Sequence, residues 1–432
     1  MLRDPMDGGR LRLEPGEPPV LVGETSGLRY RYARELPDLR PVPGRPNRWG
    51  ITIPSDEAST HARIRDHYDE TPCHDHLALD NVPLGRYLRQ PEYDTYFQDV
   101  KLAIEAIERW PSLEEELGAS FGYRQGGNLY VGEGEEEIEA VRRFVTVQQE
   151  NGFTDVQFVD RQGALEIVPA LNERASAASY SPRDGQADPP RTTQAFAAAA
   201  ERHGATYWNG AESLGLIATD SRVTGLRTSR GDVEAGAVIL AAGGWSDDLA
   251  ASVGVRLPIR TRVPQILIST PGEPGLVRPV LGSVSRRLSL KQLDDGSFML
   301  GGGWPGVPSE DRRSYTMQQA SIDGGWATGA GLIPAVGEQT IARKWCGLEA
   351  QSFDGVPFIG PIRGLDGLAV ATGFSGHGFA LAPSVGRAVA DQLAGMTVPE
   401  LADLSPDRID GFDAAAVERF LNDLDGSDLG VG

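Results

Sequence analysis

The sequence predicts an α/β domain interleaved with a second domain that is built on an antiparallel β-sheet. Near the C-terminus, residues 367–387 read as a short apolar strand, a glycine-rich turn and an amphipathic helix, an order typical of α/β folds. Between residues 257 and 303, several short apolar runs are separated by polar residues and glycine, which predicts clustered antiparallel strands. The chain has 432 residues, which is long enough for two domains.

The individual elements follow from residue spacing and from turn residues. Apolar positions at helical intervals predict three helices before the C-terminal one, over about residues 95–110, 135–149 and 194–203. Glutamates at the start of the second helix suit the positive end of its dipole. Short apolar runs between turn residues predict strands at residues 128–131, 265–269, 285–290 and 297–301, with two more inside 223–240.

Composition limits the possible partners and the cellular compartment. The formal net charge is −20, which argues against nucleic acid and anionic membranes as partners. The longest apolar run, residues 237–242, is too short to span a bilayer, and the N-terminus does not read as a secretion signal. Cys73 and Cys346 lie far apart in the sequence, so they predict neither a disulfide framework nor a metal site. We therefore expect a cytoplasmic protein.

The glycine-rich turn near the C-terminus predicts a binding site. Gly373, Gly376 and Gly378 let the backbone bend tightly and come close to a ligand. The helix that follows begins with unpaired amides, and its dipole favours negative charge at that end. A strand, a glycine turn and a helix N-terminus in this order are typical of a site for an anionic group.

Several segments occur in one order along the chain: RQGGNL at 124–129, DGQADP at 184–189, VILAAGGWS at 238–246, RKWCGLEAQSFDGVPFIG at 343–360 and GFSGHGFALAP at 373–383. Together they resemble the FAD-dependent D-amino-acid oxidase (DAO) superfamily, specifically its sarcosine oxidase and glycine oxidase-like branch. Several motifs in the family's order are a far more specific signal than one glycine turn.

The resemblance implies a Rossmann-like FAD/NAD(P)-binding domain interleaved with a substrate domain on an antiparallel sheet. It assigns residues 1–110, 188–253 and 335–400 to the FAD-binding domain, residues 111–187 and 254–334 to the substrate domain, and 401–432 to an acidic C-terminal tail. It implies that FAD is bound by the following residues: Gly243, Gly244, Trp245, Arg343, Gly347, Gly373, Phe374, Ser375, Gly376, His377, Gly378 and Phe379.

The reaction implied by the resemblance is removal of a hydride from the carbon next to an amine nitrogen, in an amino acid or N-alkylated amino acid. The flavin carries this step, and the protein supplies placement and electrostatics. His377 lies where sarcosine oxidases keep a histidine beside the flavin ring. An imidazole there suits proton handling near neutral pH.

The cations that bind the substrate carboxylate in this family are replaced. Ala380 stands where sarcosine oxidases have a lysine, and Glu349 stands where glycine and D-amino-acid oxidases have an arginine. A buried carboxylate without a cation is costly. Either Arg286, Arg287 or Lys291 takes over this task, or the substrate is not a simple amino acid. The candidate catalytic residues are His377, Lys291 and Glu349.

The N-terminus departs from the family pattern of a strand, a G-x-G-x-x-G turn and a helix. The nearest candidate places a strand at residues 20–22 and a helix at 29–36, but Glu24, Thr25 and Ser26 interrupt the spacing between Gly23 and Gly27. Prolines then occupy the place of the next strand, and proline is excluded from a central parallel strand. They are Pro37, Pro41, Pro43 and Pro46.

Residues 37–91 are irregular and hold four of the six histidines. Three explanations remain open: a shifted reading frame or damaged gene model, a diverged paralogue that binds FAD poorly or not at all, or FAD binding with a rebuilt N-terminus or with help from another subunit. The run from Cys73 to His76 contains metal-ligand types, but no second cluster at zinc-like spacing accompanies it. We therefore predict an irregular polar loop and no metal site.

The sequence motifs and the family resemblance are compatible with three functions. The first is a sarcosine oxidase-like oxidoreductase with FAD as its cofactor, acting on a small-molecule amine or amino acid. The second is a non-catalytic or FAD-deficient paralogue, or a truncated gene product, of the same fold. The third is an oxidoreductase of 2-hydroxy acids, which the superfamily also covers. A second subunit or a homo-oligomer is a possible partner, and the electron acceptor is left open.

Overall fold

The computed structural model describes four N-terminal strands within residues 11–41, and residues 96–150, 152–309 and 312–422. Contacts divide the chain into two compact units, Met1–Glu70 and Thr71–Gly432. The Cys73–His76 run and most of the irregular segment 37–91 lie outside the described residues.

The first unit contains an antiparallel meander in which each strand pairs with the next: β1 (Leu11–Glu14), β2 (Val20–Gly23), β3 (Arg29–Tyr32) and β4 (Pro37–Pro41). The helix expected at residues 29–36 is wrong, because RYRY alternates with the period of a strand and tyrosine favours strands. The expected strand at residues 20–22 exists, but it pairs antiparallel on both sides. The β4 strand lies at the sheet edge, where proline is tolerated.

The described helices of the second unit are α1 (Tyr96–Arg109), α2 (Leu113–Leu117), α3 (Ile138–Glu150), α4 (Arg161–Ile167), α5 (Pro189–Arg202), α6 (Ser246–Ala251), α7 (Gln319–Leu332), α8 (Pro334–Gly337), α9 (Gly378–Leu393) and α10 (Ala414–Asn422). The predicted helix at 194–203 begins earlier than expected. The Asp188 carboxylate accepts a hydrogen bond from the Arg191 amide, and prolines follow it.

Its strands are β5 (Asn128–Glu133), β6 (Gln157–Asp160), β7 (Ala175–Ser181), β8 (Ser213–Thr219), β9 (Arg222–Thr228), β10 (Gly231–Glu234), β11 (Val238–Leu240), β12 (Ile259–Arg262), β13 (Gln265–Ser269), β14 (Val280–Ser283), β15 (Ser289–Gln292), β16 (Phe298–Gly301), β17 (Val307–Pro308), β18 (Tyr315–Thr316), β19 (Ile341–Cys346), β20 (Glu349–Ser352), β21 (Phe358–Pro361) and β22 (Leu368–Thr372). The predicted strand at 285–290 is shifted toward the C-terminus.

The largest described sheet has eight strands in the order β19-β13-β16-β15-β14-β5-β7-β6. All neighbours are antiparallel except β14 and β5. One face carries a buried apolar layer against α4, α7 and α8, with members such as Leu129, Leu281, Leu300 and Ile322. The other face of the same strands presents residues such as Tyr130, Ser179 and Lys291, as the two-residue period requires.

A smaller sheet, in the order β11-β22-β21, carries the predicted glycine turn. Its β11 and β22 strands are parallel, with Leu240 opposite Val370, so their C-terminal ends meet at one edge. The α9 helix that follows β22 packs on α1 through Leu102 and Leu381. The Ser384 hydroxyl donates to the Leu102 carbonyl over 2.8 Å.

The α/β fold with an interleaved antiparallel sheet is confirmed. We propose the domain division given above with one refinement: the second substrate segment extends to Cys346, because β19 pairs with β13 in the large sheet. The tail expected at 401–432 is ordered through α10, where the Phe420 ring packs against Phe353 over 5.6 Å. Among the described helices, none is both long enough and apolar enough to cross a membrane.

Candidate active site

The glycine turn after β22 is fixed by hydrogen bonds to β20. The Ser375 amide donates to the Ala350 carbonyl over 3.0 Å, and the Ser375 hydroxyl accepts from the Ser352 amide over 3.1 Å. Gly376 has a φ of +102°, a conformation that glycine adopts without strain. These two hydrogen bonds hold the backbone of the turn against β20, immediately before α9.

The N-terminus of α9 is open to a ligand. His377 is the N-cap residue, and its side chain makes no capping hydrogen bond. The amides of the first turn therefore lack a side-chain acceptor from that residue, and the helix dipole adds positive charge there. Phe379 is 38% exposed although it is a large apolar residue. This end of the helix suits the negatively charged edge of a bound group.

A second turn lies beside the first at the end of β11. It holds Gly243, Gly244 and Trp245 in one 3₁₀ turn. The Thr372 hydroxyl donates to the Gly243 carbonyl over 3.0 Å, which joins the ends of β11 and β22. A side chain at Gly243 would meet no atom of the described residues within 4 Å, so these residues leave open space next to this backbone.

Glu349 begins β20 and its carboxylate lies beside the glycine turn. Its Oε1 is 3.7 Å from the position that a Cβ on Gly376 would take. In the β12–β20 pair, Glu349 stands opposite Arg262, whose side chain is buried. Gly347, two residues earlier, faces open space and donates its amide to the Pro264 carbonyl over 3.0 Å.

Arg262 was not predicted from the sequence, and it lies close to Arg287. Burial, and then the charge of Arg262, lower the pKa of Arg287 to about 10. The Arg287 guanidinium carbon is 5.3 Å from the centroid of the Trp304 ring. A partly buried arginine whose pKa is lowered by burial and by the charge of a second arginine is a candidate partner for a carboxylate. The sequence signal for Arg262 was weak: two arginines in the short strand IRTR.

The other predicted cations lie in different surroundings. Arg286 forms an ion pair with Glu133, which is 2% exposed, so its role is structural. Lys291 is partly buried on β15, and its Nζ donates to the Ala187 carbonyl over 3.5 Å. Burial lowers the pKa of Lys291, Arg124 lowers it further, and Asp188 opposes this change. Arg343 is exposed on β19, and its charge contributes to lowering the pKa of Asp295.

The two turns and the helix N-terminus fit one side of a flavin nucleotide. Gly243 has free space beside its backbone, and α9 begins with uncapped amides next to Gly376. The described parts of residues 20–36, Val20–Gly23 and Arg29–Tyr32, are neighbouring antiparallel strands and not the strand and helix that flank a pyrophosphate-binding turn. Gly27 lies outside the described residues.

The comparison with known families decides the identity of the fold. A family model described as FAD dependent oxidoreductase matches residues 60–392, more than half of the chain. The chain belongs to this family. FAD is therefore its cofactor, and the chain is an FAD-dependent oxidoreductase. The candidate N-terminal turn at residues 20–36 falls outside the matched region.

Three named proteins are similar to this oxidoreductase over about two thirds of the chain or more. Glycine oxidase from Geobacillus kaustophilus (strain HTA426) is 30% identical over 307 residues, covering 70% of this chain and 79% of that protein. Sarcosine oxidase subunit beta from Arthrobacter sp is 28% identical over 298 residues, covering 67% and 71%. The crystal structure of L-proline dehydrogenase from P. horikoshii matches with a TM-score of 0.67 at 30% identity, covering 72% of this chain and 83% of that one.

The aromatic residues around His377 were also not predicted from the sequence. Trp110 stacks on Tyr123 with 5.9 Å between ring centroids, and its other neighbour is Phe379 at 5.2 Å. The Trp110 indole donates to the Ala380 carbonyl over 2.9 Å. The sequence shows aromatic residues at positions 110, 121 and 123, which could have indicated an aromatic cluster. It does not indicate that this cluster contacts residue 379.

Proposed function

We propose that this oxidoreductase removes a hydride from the carbon next to the amine nitrogen of an amino acid or N-alkylated amino acid. The observation that carries the proposal is the arrangement at the glycine turn. The N-terminus of α9 has no side-chain cap from His377, and the Glu349 carboxylate lies beside Gly376 in the preceding turn. Arg262 stands opposite Glu349 in the β12–β20 pair, and its charge acts on Arg287. The relatives named above support the same class of substrate.

FAD, when bound, accepts the hydride. We propose that the amides of Gly378 and Phe379 hold the edge of the flavin where negative charge accumulates, because fixed dipoles stabilise developing charge without reorganisation. His377 lies at the start of the same helix and lines the adjoining cavity. We assign it the handling of a proton at the substrate amine, a task suited to imidazole near neutral pH.

Substrate binding requires a new explanation, because the family's usual carboxylate-binding cations are absent. We assign the carboxylate to Arg287 with Arg262, since their charges already lie near each other in a partly buried place. Glu349 then holds the substrate ammonium beside the glycine turn. The opposite charges of Arg287 and Glu349 would fix the orientation of an amino acid. We propose that Lys291 has a positioning role, because its Nζ donates a hydrogen bond to the Ala187 carbonyl.

The first experiment is the visible absorption spectrum of purified protein, before and after addition of excess FAD. A flavin spectrum that bleaches with sarcosine, proline or a D-amino acid under anaerobic conditions supports the proposal. Bleaching by 2-hydroxyglutarate alone would assign the chain to the 2-hydroxy acid oxidoreductases. A protein that binds no flavin would contradict the proposal and support the FAD-deficient paralogue.

One observation favours the paralogue as a second candidate. The described strands of residues 11–41 form an antiparallel meander, whereas a nucleotide-binding domain needs a parallel strand and a turn for the pyrophosphate. In a protein that does bind FAD, we propose that a second subunit completes the site. Sedimentation of the flavin-loaded protein, alone and with candidate subunits co-expressed, tests the partner directly.

A further inference from the structure

A cavity of about 510 Å³ adjoins the proposed active site. It lies between α1 and the start of α9 on one side, and between β5, β7 and α3 on the other. Its lining is mainly apolar and includes six aromatic residues: Trp110, Tyr123, Tyr130, Phe144, Phe153 and Phe379. A volume in this range suits a small molecule rather than a few waters.

The cavity begins at the glycine turn. His377, Phe379 and Ala380 form one end of its wall. Ala380 is exposed and has a small side chain, so no long side chain from this position projects into the cavity. A group attached to the reacting carbon or to the nitrogen of a substrate at His377 would therefore lie next to this cavity.

The walls are preformed. Trp110 is held by stacking on Tyr123 and by the hydrogen bond to the Ala380 carbonyl. Phe144 is buried and packs against Tyr130 with 5.4 Å between ring centroids. Rings that are already ordered lose little conformational freedom when an apolar ligand binds.

Polar groups occupy a small part of the lining, and most have partners. The Ser179 hydroxyl donates to the Gln148 amide oxygen over 3.2 Å, and the Arg183 guanidinium donates to Asp155 over 3.0 Å. Asp184 also lines the cavity, and burial raises its pKa to about 6. Above that pH its carboxylate is negative and opposes an anionic ligand group.

We propose that this cavity receives the side chain or N-substituent of the substrate, and that the substrate is an amino acid carrying a bulky, uncharged apolar group. The inference rests on the proposed function, because it places the reacting carbon near His377. It predicts that glycine and sarcosine are poor substrates and that an acidic side chain, as in glutamate, is rejected by Asp184.

The test compares N-benzylglycine, sarcosine and D-glutamate as reductants of the flavin-loaded enzyme. We expect kcat/KM for N-benzylglycine to exceed that for sarcosine by at least about tenfold, since a hydrophobic pocket discriminates by roughly 10- to 200-fold per methylene. Phenylacetate should compete with the substrate and acetate should not. Equal rates for N-benzylglycine and sarcosine would overturn the inference while leaving the proposed function intact.

Variants of α9 test whether the cavity determines the choice of substrate independently of the reaction itself. Ala380→Leu should narrow the cavity and lower the ratio of kcat/KM for N-benzylglycine to kcat/KM for sarcosine by about tenfold. Ala390→Leu, the same change at an exposed position of α9, is the matched control. If no amine bleaches the flavin, the proposed function fails, and the cavity is tested by calorimetric binding of phenylacetate. Binding that Ala380→Leu abolishes supports the cavity as a site for apolar groups, and absence of binding overturns it.

Discussion

The carboxylate of Glu349 lies next to the backbone of Gly376, with Oε1 3.7 Å from the place of a Cβ on that glycine. This contact brings the start of β20 to the glycine turn, although the two residues are separated by two strands in the sequence. It places an acidic side chain beside the N-terminus of α9, where negative charge is favoured.

Gly376→Ala should weaken FAD binding. Its φ of +102° is strained for any residue with a Cβ, at a cost of about 1 kcal/mol or more, and the new methyl group would approach Glu349. We expect a lower flavin content in purified protein, measured by visible absorbance. Gly386→Ala, in α9 with open space around it, is the control and should retain flavin. Normal flavin content in Gly376→Ala would contradict a role for the turn.

Glu349→Gln should lower kcat/KM for amines by about tenfold or more, because a hydrogen bond between charged groups contributes roughly 1.5–3 kcal/mol. Steady-state kinetics at neutral pH measures this. Glu338→Gln, at an exposed position, should change nothing. Glu349→Arg provides the opposite test: if it creates oxidation of glycine or D-alanine, Glu349 occupies the carboxylate site and does not hold the amine.

Arg287→Met should raise KM for amino acids more than for an amine without a carboxylate, such as N-methylbenzylamine. Loss of a charged partner for a buried carboxylate costs about 2–5 kcal/mol, and Arg287→Lys should restore part of the affinity. Arg227→Met, at an exposed ion pair, is the matched control. An equal rise in KM for both substrates would remove Arg287 from the carboxylate site.

His377→Ala should lower kcat by about 10²-fold or more, the contribution typical of a general acid or base. The melting temperature should stay near that of the unmodified protein, since the His377 side chain makes no capping hydrogen bond. His377→Asn tests whether a hydrogen bond alone suffices. Unchanged turnover in an active preparation would leave the histidine as a residue of the cavity wall only.

Glu133→Gln should destabilise the fold at neutral pH by about 3–5 kcal/mol, because it breaks a buried ion pair and leaves Arg286 without its charge partner. Burial raises the pKa of Glu133, but hydrogen bonds from Arg286 and Asn172 outweigh this and bring it below the ordinary 4.5. The stabilisation is therefore present above pH 4.5 and is lost as the pH falls through the folded-state pKa.

Thermal unfolding across this pH range checks the Glu133 prediction. The difference in stability between Glu133→Gln and the unmodified protein should shrink as the pH drops below 4.5. Asp410→Asn breaks the exposed pair with Arg363 and should cost at most about 1 kcal/mol. A constant difference at all pH values would show that the effect does not come from the charge of Glu133.

Much of the fold and part of the site could be read from the sequence, because their signals are local. The strand, glycine turn and helix around Gly376 are contiguous, so spacing and glycine content were sufficient to predict β22, the turn and α9. The order of the motifs was sufficient to predict the family that the match over residues 60–392 confirms. The helix expected at residues 29–36 was wrong because RYRY alternates with the two-residue period of a strand.

The remaining features depend on contacts between distant segments, which periodicity does not encode. Only the tertiary structure places Arg262 opposite Glu349 and close to Arg287, through strand pairing and sheet packing. It also joins Trp110 to Phe379 across 269 residues and closes the cavity between them. The sequence by itself determined the fold, the family and the glycine turn, whereas the choice of substrate-binding cations and the shape of the cavity were decided by packing, because side chains far apart in the chain meet only after folding.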